Sequence, residues 1–181
     1  MAELVARTGR HQQRYNDGCR LVAGCIPFKY TSCVGSSDGT SEKDVEVLMI
    51  NSTRGPGLLF PKGGWENDET VEEAAKREAL EEAGVRGDVL RKTLQDEFSP
   101  EGMCKAAMFA LLVTEELQFW PEQSTRQRHW LTVPKAKECC QHLWMREALE
   151  EGFSKWLAGQ ISNSLKEENH QASSDSTLDQ D

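Results

Sequence analysis

GGWENDETVEEAAKREALEEAGV, running from Gly63 to Val85, is the stretch that decides how the rest of the chain is read. Thr70 to Gly84 is rich in Ala, Glu, Leu and Lys, all strong helix formers. Thr70-Val71-Glu72-Glu73 has the S/T-x-x-E form of a capping box, and Gly84 suits a left-handed C-terminal cap. The spacing therefore predicts a helix from near Thr70 to Gly84. On it Glu78, Glu81 and Glu82 stand at i, i+3 and i+4, which puts three carboxylates on one face. Each like-charge pair costs roughly 0.2 to 0.5 kcal/mol, and the negative end of the helix dipole adds about 0.3 to 1 kcal/mol per group. A hard divalent cation resolves that conflict, because Mg2+ prefers carboxylate and water oxygens and bridges to substrate phosphates. The competing reading is an ordinary acidic surface helix, which three clustered glutamates alone would favour.

The residues before the helix shift the balance. Phe60-Pro61-Lys62-Gly63-Gly64-Trp65 is a turn-forming, glycine-containing approach that can bring bare backbone against a ligand or metal. Glu69 and Arg77 are candidates for an ion pair that fastens this loop to the helix; its plain alternative is a surface pair worth about 0 to 1 kcal/mol.

Residues 63–85 match every fixed position of the pattern G-x5-E-x7-R-E-U-x-E-E-x-G-U, in which U is aliphatic and Ala79 is its smallest acceptable form. The chain thus resembles the Nudix hydrolases. Arg14 to Gly18, Ala23 to Phe28, Pro61 to Trp65, Trp120-Pro121-Glu122 and Arg126 to Trp130 are similar to the diphosphoinositol polyphosphate phosphohydrolase branch, its plant members in particular, over residues 5 to 158. The resemblance implies a Mg2+-dependent hydrolase, with Mn2+ as the alternative metal. Glu78, Glu81, Glu82 and the Gly63 carbonyl would hold the ion, and Glu82 or Glu81 would act on the attacking water. Diphosphoinositol polyphosphates are the expected substrates and diadenosine polyphosphates the second class. Cationic candidates for their phosphates are Arg20, Lys29, Arg54, Lys62, Lys105, Arg126 and Arg128, with Arg suited to bidentate contacts. For each, a solvated surface charge is the alternative. A Nudix-fold module that binds inositol polyphosphate or a protein, with weakened catalysis, is the other functional reading.

The chain has 181 residues and a net charge of −9, enough for one domain and a poor match for a general nucleic-acid binder. Residues 166–181 carry five acids against one base, so part of the acidity is peripheral. Six cysteines show no C-x-x-C pair or zinc spacing, and no secretory leader is evident. Cytoplasm and nucleus are the expected compartments. Arg7, Arg10 and Arg14 keep a mitochondrial transit segment as the alternative. No apolar run nears the ~20 residues that span a bilayer. The expected partner is a polyphosphorylated small molecule, not nucleic acid or membrane, and the protein is expected to be a monomer.

Apolar runs predict strands over Arg20–Tyr30, Val45–Ile50, Leu58–Phe60, Ala106–Val113 and His129–Val133, with a variable loop at Thr31–Lys43. Helical spacing from Lys135 to Leu157 predicts one or two C-terminal helices. The order gives an α/β class chain with a mixed β-sheet sandwiched between helices, an α/β/α sandwich, which is also the Nudix fold that the resemblance implies. The expected organisation is an N-terminal arm (1–18), a Nudix hydrolase domain (19–158) and a disordered acidic tail (159–181). Only Gly87 to Gln95 joins the acidic helix to Asp96-Glu97-Phe98-Ser99-Pro100, fewer residues than the branch carries. A strand beside the helix is thus expected to be shortened or missing, which would expose a sheet edge.

Overall fold

The computed structural model describes residues 4–9, 12–16, 18–31, 45–98 and 104–160, the side chains of 91–98 and 104 excepted. Residues 32–44, which include nearly all of the expected variable loop, and 161–181, most of the expected tail, lie outside them.

Alternation of apolar residues builds the sheet. In β2 (Cys19–Tyr30), Val22, Ile26 and Phe28 join one core while Ala23 and Cys25 join the other. β3 (Val45–Asn51) repeats the device, with Val45, Val47 and Met49 on the first side and Leu48 and Ile50 on the second. A period of two with both faces apolar is what a sheet covered on both sides requires. β7 (Cys104–Glu116) runs parallel to β2, and β6 (Val85–Phe98) runs antiparallel to β7. The spine of the sheet is β4-β3-β2-β7-β6, where β4 is Leu58–Leu59. Three further strands complete it: β1 (Tyr15–Asn16) and β5 (Lys62–Gly64) on β2, and β8 (Arg128–Thr132) on β3.

Helix α1 (Val71–Ala83) covers one face, seating Ala74, Ala75, Ala79 and Ala83 on Ala23, Cys25 and Phe109. Small residues along this stripe let the helix approach the sheet closely. Thr70 caps its start by accepting from the Glu73 N–H at 3.2 Å, and Gly84 closes its end at φ 65°. The opposite face is covered by α2 (Val133–Cys139), α3 (Leu143–Glu147) and a π-helical stretch, Ala148–Ser154. Trp144, Met145, Leu149 and Phe153 fill that layer against Phe28 and Phe60. The architecture is the α/β/α sandwich expected from the sequence.

The C-terminal region is two helical stretches, as expected, α2 and the unbroken run from α3 to residue 160, separated because after α2 the chain turns extended at Cys140 (ψ 123°), bridges Leu58, and gives the Gln141 N–H to the Leu58 carbonyl at 3.0 Å. One expectation changes. The strand after α1 is not missing or short: residues 87–95 lie inside β6, which has 14 residues and pairs with β7 from Val85↔Glu116 to Phe98↔Lys105. Four register shifts interrupt that ladder, and at three of them the extra residue is in β6, so its 14 residues face twelve of β7. Each shift lets one strand take up an extra residue without leaving its partner, with added local twist.

Candidate active site at the end of the acidic helix

The site is assembled from the β5 loop, the last two turns of α1 and the 117–128 segment. β5 pairs Gly63 with Ala23, which lays the loop beside the helix. A methyl group at Gly63 would sit 2.2 Å from Oε1 of Glu78, so only a bare backbone fits there. Gly63 and Glu78 are thereby brought into direct contact.

Arg77 organises this side. Its Nε and one Nη hold the two Glu69 oxygens at 3.0 and 2.8 Å, a bidentate pair, and the same Nη donates to the Gly64 carbonyl at 2.8 Å. Its other Nη donates to Glu78 Oε1 at 2.8 Å and Glu81 Oε2 at 3.2 Å. Arg77 and Glu69 side chains are 14% and 5% exposed, so this is a buried pair rather than a surface one. Burial is the largest single influence on Glu69 and opposes its charge, but the Arg77 bond, the Glu66 N–H and the charges of Arg77 and Arg7 together hold the carboxyl below its ordinary range. Glu69 also accepts from the Glu66 N–H at 3.0 Å, while its carbonyl takes the Trp65 indole N–H at 2.8 Å. Trp65 is thus a packing residue here, with the Arg14 guanidinium 4.4 Å over its ring.

Glu82 faces a different set. It accepts from the Lys62 backbone N–H at 3.1 Å and lies 3.5 Å from Arg126, whose Nε is 3.5 Å from Glu122. Arg126 is anchored by a 2.7 Å bond to the Asn51 carbonyl. Trp120 donates to the Glu82 carbonyl and stacks under the Arg128 guanidinium at 4.1 Å, and Arg128 in turn donates to the Gly84 carbonyl at 3.3 Å. A methyl at Gly84 would strike the Trp120 ring at 2.6 Å, so this glycine serves both the helix cap and the clamp.

Three carboxylates packed this way resist ionising together. Burial, then repulsion from Glu81, pushes Glu78 up to about 7 despite Arg77. Burial and repulsion from Glu78 push Glu82 up to about 8, while Arg126 and Lys62 oppose the rise. Burial also raises Glu81. Among the described residues no three acidic groups converge into a ready cage, since Arg77 and Arg126 hold them apart. The donor set still fits a hard cation. Mg2+ takes only one or two carboxylates and keeps waters, and hard carboxylate oxygens beside the Gly63 backbone are the donors it prefers.

The cationic candidates separate by position. Arg126 stands at Glu82, the Lys62 charge acts on the same carboxylate, and Arg128 lies at the Gly84 carbonyl that ends the helix. Arg20 bonds Gln13 at 3.2 Å in the first part of β2, Arg54 lies exposed in the β3–β4 loop, Lys29 stacks on Trp130 at 4.0 Å, and Lys105 pairs with Leu21 in the sheet. Sequence reasoning passed over Asn51, Trp120 and Glu122 as site residues, although Glu122 and Arg126 show the i, i+4 spacing of an ion pair. It also passed over Arg7, whose backbone N–H donates to Glu81 at 3.1 Å. A groove of about 570 Å3 lined by Arg14, Trp65, residues 67–71 and Glu73 is bordered by none of Glu78, Glu81 and Glu82.

The NUDIX domain family model matches residues 33–156. The chain belongs to the Nudix family. Nudix hydrolase 16, mitochondrial, of Arabidopsis thaliana is 62% identical over 165 residues, 86% of this chain and 92% of that protein. Diphosphoinositol polyphosphate phosphohydrolase 3-alpha of Mus musculus is 32% identical over 123 residues, 66% of this chain and 68% of that one. Among solved structures, a C. elegans Ap4A hydrolase binary complex superimposes with a TM-score of 0.54 at 23% identity, covering 77% of this chain and 98% of its own. At that identity the structural likeness speaks for the Nudix fold alone. As a Nudix hydrolase the protein acts on small phosphate-containing molecules, and family members use divalent metals. No helix among its described residues is long and apolar enough to cross a membrane.

Proposed function

We propose that this Nudix hydrolase cleaves phosphoanhydride bonds of diphosphoinositol polyphosphates, releasing the β-phosphate, with diadenosine polyphosphates as the second substrate class. The observation that carries the reading is the packing of Gly63 backbone against Glu78, with Glu81 and Glu82 one turn further on. Glu78, Glu81, Glu82 and the Gly63 carbonyl would hold Mg2+, or Mn2+ in its place. When bound, the ion supplies positive charge to the anhydride oxygens.

Glu82 takes the proton of the attacking water. The new P–O bond forms in line as the bond to the bridging oxygen breaks, and that oxygen leaves on the inositol phosphate. The Lys62 backbone N–H, at 3.1 Å, orients the Glu82 carboxylate for that transfer. Arg126, 3.5 Å from Glu82 and Glu122, is placed to exchange those partners for a substrate phosphate. Lys62 and Arg128 serve the same end of the helix, and Arg20, Arg54 and Lys105 would meet outlying phosphates. The Glu69–Arg77 pair holds the loop on the helix.

The mouse relative's name supports the inositol substrate. The binding-module alternative rested on a damaged strand, and β6 is unbroken. Five Arabidopsis relatives have "mitochondrial" in their names and one has "chloroplastic", which favours the mitochondrion over cytoplasm and nucleus; subcellular fractionation tests it. The enzyme is proposed to act as a monomer, which sedimentation would check.

The deciding experiment is Mg2+-dependent turnover of 5-diphosphoinositol pentakisphosphate and diadenosine hexaphosphate side by side, with Glu82→Gln as control. Turnover of the inositol substrate that falls about 10²- to 10⁴-fold in the variant is expected, the range for losing a general base. Near-normal turnover in both Glu81→Gln and Glu82→Gln would overturn the assignment.

A further inference from the structure

The residues before β2 do not hang free of the site. Residues 12–14 lie along the loop that leads into α1: Gln13 bridges Glu66 antiparallel, the Asn67 N–H donates to the Gln12 carbonyl at 2.7 Å, and the Arg14 N–H donates to the Trp65 carbonyl at 2.8 Å. The Arg14 guanidinium donates to the carbonyls of Glu66, Asn67 and Glu69 at 3.0 to 3.1 Å. This segment is in effect an extra ribbon on the loop, and it carries residues 4–9 back over the helix.

Arg7 is where that arm meets the carboxylates. Its backbone N–H donates to Glu81 Oε1 at 3.1 Å, while Arg77 holds the other oxygen, Oε2, at 3.2 Å. Both oxygens of Glu81 are therefore engaged, and the side chain is only 8% exposed. The Arg7 guanidinium holds Glu66, which is itself buried, and Asp68 at 2.9 Å. The side chain anchors the arm to the loop, and the backbone then reaches the glutamate.

We propose that Arg7 is a positioning residue for Glu81: the N-terminal arm, pinned through Arg7 to Glu66 and Asp68, fixes the orientation in which Glu81 meets the divalent cation. The inference rests on the reading of Glu81 as a metal-facing group. Groups that orient a ligand from outside the coordination shell typically alter metal affinity 10- to 100-fold when lost. The arm adds such a group from a part of the chain some seventy residues distant, as the Arg7 to Glu81 separation of 74 records.

The test uses the full chain and Mg2+ alone, titrated against the melting temperature and by calorimetry, in wild type, Arg7→Ala, Arg7→Lys, Asp68→Ala and the Arg7→Ala/Asp68→Ala double variant. Asp68→Ala loosens the anchor without touching any of the three glutamates, and it serves if Arg7→Ala folds poorly. The Mg2+ concentration for half the effect should rise about tenfold or more in Arg7→Ala. It should rise in Asp68→Ala too, recover partly in Arg7→Lys, and rise no further in the double variant. A lower melting temperature with an unchanged Mg2+ midpoint would make the arm merely structural and overturn the proposal. So would additive effects of the two single variants, or tighter Mg2+ binding once the arm is loosened. A wild type indifferent to Mg2+ would overturn the metal reading, and this proposal with it, whereas a responsive wild type with unaltered variants would overturn this proposal alone.

Discussion

Gly63 concentrates the argument at the scale of one residue. Its φ lies outside the left-handed region, so an alanine there meets no backbone penalty. The obstacle is the Glu78 carboxylate, all three of whose terminal atoms lie 2.2 to 2.4 Å from where the methyl would go. Gly63→Ala must therefore turn Glu78 away from the loop and from Arg77. The expected outcome is a fall of about 100-fold or more in kcat/KM, as a misplacement of about 1 Å can cause, with a melting temperature only a few degrees lower. Steady-state kinetics beside a melting curve checks it; an unchanged kcat/KM would remove Glu78 from the chemistry. The residue type and its spacing were open to view in the chain. What the spacing could not convey is that the glycine is required by a neighbouring side chain and not by its own dihedral angles.

At the scale of the element, α1 was readable from end to end: Thr70 and Gly84 cap it where the chain suggested, and the alanines face the sheet. The two caps differ in what else depends on them. Thr70→Ala removes two exposed hydrogen bonds, the one accepted from the Glu73 N–H and the one donated to the Glu73 carboxylate, and should cost about 1 kcal/mol. Gly84→Ala forces a left-handed conformation, worth about 1 to 2 kcal/mol, and drives a methyl into the Trp120 ring. Urea denaturation should rank Gly84→Ala as the more destabilising, and turnover should fall with it because Trp120 holds the Glu82 carbonyl. A larger loss in Thr70→Ala would contradict the clamp. β6 was the element misread, for a definite reason. A short connection implies a lost strand only if its residues stay out of the sheet; here they enter it and pair along β7, with register shifts that leave β6 two residues longer than the stretch it faces.

Over the whole molecule, burial of the carboxylates couples stability to pH. Glu78 and Glu82 have folded-state values near 7 and 8, above their ordinary 4.5, so the fold favours their protonated forms. Their contribution is fully present below about pH 4.5 and is lost as pH rises through about 7 to 8. The metal-free protein should therefore lose stability between about pH 5 and 8.5. Mg2+ binds the ionised carboxylates and should stabilise progressively more over the same interval. Melting temperatures in chelator and in Mg2+ across that pH range check this; a constant gap between the two curves would mean that these groups do not hold the ion.

The family, the sandwich and the acidic helix follow from residue order, because alternation of period two, helical spacing and capping residues are local properties carried by neighbours along the chain. So is the cluster of Glu78, Glu81 and Glu82, which one helix suffices to bring together. The Glu69–Arg77 pair was legible too, but the burial of that pair, the approach of Arg126 to Glu82, the Trp120 clamp on Gly84 and the reach of Arg7 to Glu81 belong to the tertiary structure alone. Apart from the Arg77 bonds, these contacts join residues tens of positions apart. Their geometry is set by how β2, β5 and α1 stack, which no local pattern encodes.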